Sequence, residues 1–352
     1  MVKSSTSHTV ILVATLLVTW LVWGSSFVAI TWALDAFPPL LLMATRFVVA
    51  GTIATAAGLW LARRSGAALP CRRAWRDATV VGTGFITIGM GATGWAATRL
   101  PTGIAALLVA SAPLWIALLQ ALFVRSATRS ATAVAGLAVG IAGVGILVAP
   151  GLMGHGGIDA TAALVLIASN GAWAAASLYS PRAVPAGGLV LGVGMQMLTG
   201  GTILLGIALA IGEGSRFSLA EMTSLALGGW TYLVLVGAIG GFLAYGWLLE
   251  HASATTASSH AFVNPLVAVA LGALVLHEQV GVHMLIAGAA VIAAVVLLLV
   301  GETRAARRAE PAPTTAAPRP STDRRRAAAR PIAVGRGRGG AGWSPAPTPA
   351  FA

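Results

Sequence analysis

Charge is what this chain of 352 residues has least of: Asp, Glu, Lys and Arg together make up 9% of it. A soluble protein uses about 25%, and here 57% of residues are hydrophobic. No water-soluble core could hide that much apolar surface, so a soluble domain is excluded and lipid is the solvent. Cysteine is nearly absent as well. The single Cys71 excludes a disulfide within the chain and any cysteine-based metal site. Acidic residues number ten, and none falls deep inside an apolar run; Glu250 stands at the end of one. A proton-coupled cation exporter ordinarily needs an embedded carboxylate, so its absence argues against that class. No cluster of carboxylates, histidines and nucleophiles shares one depth, which argues against a membrane-embedded enzyme. The residues require no metal and no cofactor.

What the chain has in abundance is apolar runs of about 20 residues, the length of a helix that crosses a bilayer. Ten such runs are read at roughly 10–31, 40–61, 77–97, 103–124, 131–149, 160–179, 188–211, 228–249, 254–276 and 282–300. The expected fold is an all-α integral membrane protein. The 43 glycines suit helices that approach closely in lipid. With the amino terminus in the cytoplasm, the inside segments hold Lys3, the arginines of 63–76, Arg125, Arg129, Arg182 and the arginines of the C-terminal tail. The outside loops hold only Arg99 and Arg216. The rule that cytoplasmic loops are the basic ones thus places both termini in the cytoplasm.

The runs repeat. Gly94-Trp95 recurs as Gly246-Trp247, and Ala105, Pro113 and Gly136 recur as Ala257, Pro265 and Gly288 at one constant offset without a gap. Residues 1–150 and 151–301 are therefore read as two five-helix repeats. Five is odd, so the second copy enters the membrane from the opposite side, and the repeats are inverted. Inverted repeats with a substrate site between them are a common architecture of membrane transporters. Residues 302–352 change character to Pro, Ala and Arg, as in Arg324-Arg325-Arg326, and read as a disordered cytoplasmic tail. The net charge of +12 comes largely from this tail and the 63–76 loop. Its simplest partner is the anionic headgroups of membrane lipids; thinly spread arginines without interleaved aromatics do not indicate nucleic acid.

Several short motifs then fall in order. Trp23-Gly24-Ser25-Ser26-Phe27, Arg46-Phe47, Pro101-Thr102 with Ala112-Pro113-Leu114, Ser253-Ala254-Thr255, Asn264-Pro265-Leu266-Val267-Ala268 and His277-Glu278 resemble the signatures of EamA-type transporters of the drug/metabolite transporter superfamily. The resemblance covers roughly residues 10–300. It implies a carrier of small metabolites in the cytoplasmic membrane, often of amino acids and often outward. One departure stands out. The family often has an acidic residue after the fourth span, where this chain has Arg125-Ser126; only the second repeat keeps one, as Glu278.

Depth selects the candidate site. At about 1.5 Å per residue, Pro113 and Asn264-Pro265 lie near the bilayer midplane. The two prolines would act as a matched hinge or pivot, or simply as kinks. Asn264, with His260 one turn earlier, is a costly polar group in hydrocarbon and faces a cavity or a helix partner. His260 could also carry protons. Trp23 and Trp173 occupy equivalent places in the first and sixth spans and would form opposing aromatic walls, with Asn170 beside Trp173; core filling is the plainer alternative. Ser111 and Trp115 flank Pro113 and would join the cavity, with Gln120 and Gln196 as further candidates. Arg46 would snorkel outward, pair with Asp35, or contact an anionic group of the substrate. Trp32, Trp60, Trp75 and Trp230 lie near span ends and read as interface anchors. The functional expectation is a transporter of small molecules by alternating access. The alternative is a lipid-handling protein of scramblase or flippase type, which would need a polar groove open sideways to the bilayer.

Overall fold

A backbone surrounded by hydrocarbon must satisfy its own hydrogen bonds, and a helix does so within one segment. The computed structural model describes residues 3–123, 131–152, 158–184, 187–252 and 260–309, and every regular element among them is helical. In chain order these are α1 (Lys3–Leu34), α2 (Pro39–Ser65), α3 (Arg72–Ala97), α4 (Thr102–Val109), α5 (Ala112–Phe123), α6 (Ala131–Leu152), α7 (Ala160–Tyr179), α8 (Leu189–Ala210), α9 (Ser224–His251), α10 (His260–Val275) and α11 (Val282–Ala309). Among the described residues, seven stretches are long and apolar enough to cross a membrane: Thr9–Leu34, Pro39–Ser65, Arg72–Ala97, Thr102–Gln120, Ala160–Arg182, Leu189–Ala210 and Ser224–His251. The Ser253-Ala254-Thr255 and Arg125-Ser126 positions lie outside the described residues.

Three details depart from the expected spans. The fourth is not one rod: the chain leaves helical geometry at Ala110-Ser111 and resumes at Ala112. Pro113 explains the break, since its ring and missing N–H are tolerated in the first turn of a helix and not in its interior. Pro265, by contrast, sits inside α10 without ending it, so the two prolines are not an equivalent pair. The third departure is at the end of α11, which runs to Ala309, beyond the expected tail boundary at 302. Glu, Ala and Arg are strong helix formers and prolong the helix. Residues 310–352 lie outside the described residues.

Two wide turns were not legible in the sequence. Thr83–Met90 in α3 and Leu233–Gly240 in α9 are π-helical, eight residues each. Such stretches are rare and often mark functional sites. They fall at matching places in the two halves of the chain.

Glycine sets the closest packing. Gly51 lies against the backbone of Leu198 and Gly58 against Leu191, while Gly194 meets the backbone at Ala54-Thr55 and Gly201 that at Phe47-Val48. The facing positions run in opposite order along the chain, so α2 and α8 are antiparallel and nearly touch backbone to backbone. Gly140 and Gly143 of α6 likewise meet Ala294 and Ala290 of α11. In lipid, where the hydrophobic effect does not drive helices together, contact at this range supplies the packing energy.

Of the expected interface tryptophans, Trp60 is exposed under the guanidinium of Arg64, 4.0 Å from its ring. Trp230 is not an anchor of that kind. It stacks on Phe37 and donates its indole N–H to Thr45 Oγ1 at 3.2 Å, because its helix packs against α2.

Candidate functional site

Two cavities share a partition of aromatic rings. The first, about 70 Å3, is lined by Trp23, Arg46, Asn170, Trp173, His260, Asn264 and Pro265, all singled out in the sequence. Ser26, Phe27, Met90 and Thr93 also line it. Of these, Ser26 stands one helical turn from Trp23 and was legible by that spacing; Thr93 carried no signal. The second cavity, about 380 Å3, is lined by Gln196, Phe85, Phe242, Tyr245, Ser180 and Glu250 among others.

Trp23 and Trp173 do not face each other across open space. Their ring centroids are 5.9 Å apart, edge to face. Trp23 also packs on Phe242 at 5.6 Å and Tyr245 at 5.1 Å, and Trp173 on Phe85 at 4.5 Å. The expected opposing walls are therefore one plug between the cavities. Edge-to-face contact is the preferred geometry for such rings, and opposed indoles would have left a void between them.

The wide turns of α3 and α9 make room for the plug. Gly89 lies under the Trp173 ring, where an added Cβ would come within 3.0 Å. Gly241, next to the wide turn of α9, lies under the Trp23 indole in the same way. Each tryptophan comes from one half of the chain and rests on a glycine of the other.

The polar groups are held in place from behind. Asn170 donates through Nδ2 to the Leu108 carbonyl and to Ser111 Oγ, both at 2.9 Å. Ser111 in turn donates to Leu108 O at 2.7 Å. Ser111 is thus a positioning residue beneath Asn170 and does not line the cavity. At the break ahead of Pro113 the Leu108 carbonyl also accepts the Ser111 backbone N–H at 3.1 Å. Asn264, with its amide turned so that nitrogen donates, reaches the carbonyls of Trp20 at 3.0 Å and His260 at 3.1 Å. It therefore both lines the cavity and ties α10 to α1. His260 stands edge-on to Trp23 at 5.0 Å and Tyr245 at 5.4 Å.

Trp115 and Pro113 stand outside the cavity. The Trp115 ring covers Gly171 and packs α5 on α7, one turn too far along the helix to reach the open space. Arg46 neither snorkels nor pairs with Asp35. It is 3% exposed, and its guanidinium lies 4.4 Å from the Phe47 ring. Its contact with Met90 Sδ is 3.9 Å, and Nε and Nη1 have no hydrogen-bond partner among the described residues. No three His, Cys, Asp or Glu side chains lie together among the described residues. The site offers a cation, two amides and aromatic faces, which suit binding and passage.

A helix bundle of membrane length around a partitioned pair of cavities is an arrangement that membrane transporters use. The EamA-like transporter family model matches residues 10–149 and 160–300, and the chain belongs to that family. It is 33% identical over 284 residues to YedA, described as an uncharacterized inner membrane transporter of Escherichia coli, covering 80% of this chain and 89% of the relative. It is 30% identical over 291 residues to a "Probable terminal-alkyne amino-acid exporter" of Streptantibioticus cattleyicolor, covering 80% of this chain and 91% of the relative. One solved crystal structure shares the fold with a TM-score of 0.58 at 20% identity, over 87% of this chain and 99% of its own.

Proposed function

We propose that the protein moves small metabolites, amino acids or related compounds, outward across the cytoplasmic membrane by alternating access. The observation that carries this reading is the pair of cavities on either side of one aromatic plug. A path interrupted by a thin partition needs only a small rearrangement to open to either side, and two matched π-helical turns border that partition.

The finer architecture follows from the same reading. Ten spans form two inverted five-helix repeats, 1–150 and 151–301, and both termini are cytoplasmic. The antiparallel contact of α2 with α8 and the reciprocal seating of Trp23 on Gly241 and Trp173 on Gly89 support an inverted pair. The basic tail faces anionic lipid. A relative described as an amino-acid exporter favours amino acids as the cargo class.

The test is flux from proteoliposomes loaded with a mixed small-metabolite extract and read by mass spectrometry. Loss of selected solutes from protein-containing vesicles alone, abolished by Asn264→Ala, supports transport. Scrambling of labelled lipid with no solute flux would sink it in favour of lipid handling.

A further inference from the structure

Among the described residues that line the first cavity, Arg46 has buried donors whose chemistry is unanswered. A guanidinium carries five N–H donors and a permanent charge, and taking it out of water is costly unless a counter-charge meets it. Burial here is nearly complete, yet its neighbours supply a sulfur at 3.9 Å and a phenyl face at 4.4 Å. Nε and Nη1 bond to nothing among the described residues. The ion pairs of the described residues lie elsewhere, at Arg76–Asp77, Arg99–Asp159 and Arg216–Glu213. No Asp or Glu lines the cavity, and Asp35 is exposed beyond the end of α1.

The rest of the lining defines what else an occupant carries. Phe27, Ile30, Met90 and Val109, with the indoles of Trp23 and Trp173, give an apolar wall. Asn170 and Asn264 donate their amide N–H groups to backbone carbonyls, so their oxygens are the acceptors left for a ligand's donor.

Resting on the transport reading above, we propose that Arg46 recognises the charge of the cargo. The cavity takes a small carboxylate, free or zwitterionic, whose carboxyl group meets the guanidinium and whose apolar part lies toward Trp23 and Trp173. Arginine is suited to this because its planar fork matches a carboxylate with two parallel hydrogen bonds. A molecule of the same shape with its carboxylate converted to a carboxamide leaves the charge unanswered and is rejected.

The experiment uses full-length protein and two matched mixtures: leucine, phenylalanine, methionine and threonine, and the carboxamides of the same four. Thermal stabilisation reports binding by mass action, and proteoliposome flux reports passage. Expected results are stabilisation and flux with the acids and neither with the amides. Arg46→Gln should weaken acid binding about tenfold or more with its own melting temperature measured in parallel. Arg46→Lys, which keeps the charge without the fork, should fall between, and it carries the test if the glutamine variant does not fold. Equal response to acids and amides, or unchanged acid binding in a folded Arg46→Gln, overturns the assignment of Arg46 and leaves transport standing. A well-folded wild type that answers to neither mixture also overturns it. The metabolite-extract flux then decides separately whether the transport reading survives.

Discussion

The carboxylate of Glu278 reaches back from the turn after α10 to the first residue of α4, Thr102. It accepts the Thr102 backbone N–H through Oε1 and the Thr102 hydroxyl through Oε2, both at 2.8 Å, with the Gly103 N–H at 3.4 Å. A helix N-terminus presents N–H groups that lack intrahelical partners and favours a negative charge. One side chain thus joins the two halves of the chain at one end of the bundle. Glu278→Ala should lower stability by about 1.5–3 kcal/mol, the range for hydrogen bonds to a charged group, and nearer the lower figure because the site is only partly buried. It should also loosen that end. Labelling of Thr93→Cys, inside the first cavity, by a water-soluble maleimide should rise in a Cys71→Ser background; an unchanged rate would reduce Glu278 to a local cap.

The glutamate is aimed by an unusual backbone. His277 has φ 56°, the left-handed region that a non-glycine residue adopts at some expense. The N–H groups of Leu276 and Glu278 both return to the Gly272 carbonyl, closing the helix with a left-handed residue. His277→Gly should therefore keep the turn and raise stability by up to about 1 kcal/mol. A melting temperature that falls would mean that the imidazole itself holds the turn.

Seven of the expected spans and several of the lining residues were legible, among the described residues, because hydrocarbon imposes a strong rule: apolar length gives helices, and a polar side chain at midplane depth tends to meet a partner or a cavity. That rule found Asn170, His260 and Asn264, whereas Arg46 admitted three readings from sequence, of which its burial removes outward snorkelling. It could not separate a group that touches the cavity from one that supports it, as Asn170 and Ser111 show, because the two meet at one depth from different segments of the chain. It also could not see the wide turns at 83–90 and 233–240. Their apolar sequence is compatible with an ordinary α-helix, and it is the tryptophans packed against them from the other half of the chain that accompany the difference. Trp23 and Trp173 were found as a pair, but their edge-to-face contact depends on the approach of four helices.

The α2–α8 contact gives a sharp contrast within one helix. An added methyl on Gly194 would collide with the backbone of Ala54 and Thr55, whereas one on Gly206 meets nothing within 4 Å. Gly194→Ala should cost about 1–3 kcal/mol or more, as overpacking does, and reduce the amount of folded protein. Gly206→Ala should be neutral or add up to about 1 kcal/mol through helix propensity. Fluorescence-detected size-exclusion profiles after graded heating would compare the two. Equal profiles would show that α2 and α8 move apart easily.

Cys71 provides an internal reporter of orientation. It is exposed and immediately precedes α3. The backbone N–H groups of Ala74 and Arg73 hold its thiol below the usual cysteine range, with the Arg73 charge acting in the same direction. The thiolate, the form that reacts with a maleimide, is therefore populated at lower pH than in a free thiol. Labelling should accelerate as pH rises and level off earlier than for free cysteine. In the orientation proposed above, Cys71 lies on the cytoplasmic side. A membrane-impermeant maleimide should then label it in inside-out vesicles and spare it in sealed, right-side-out ones. The reverse pattern would turn the whole bundle over and, with it, put the larger cavity beside Glu250 on the outside.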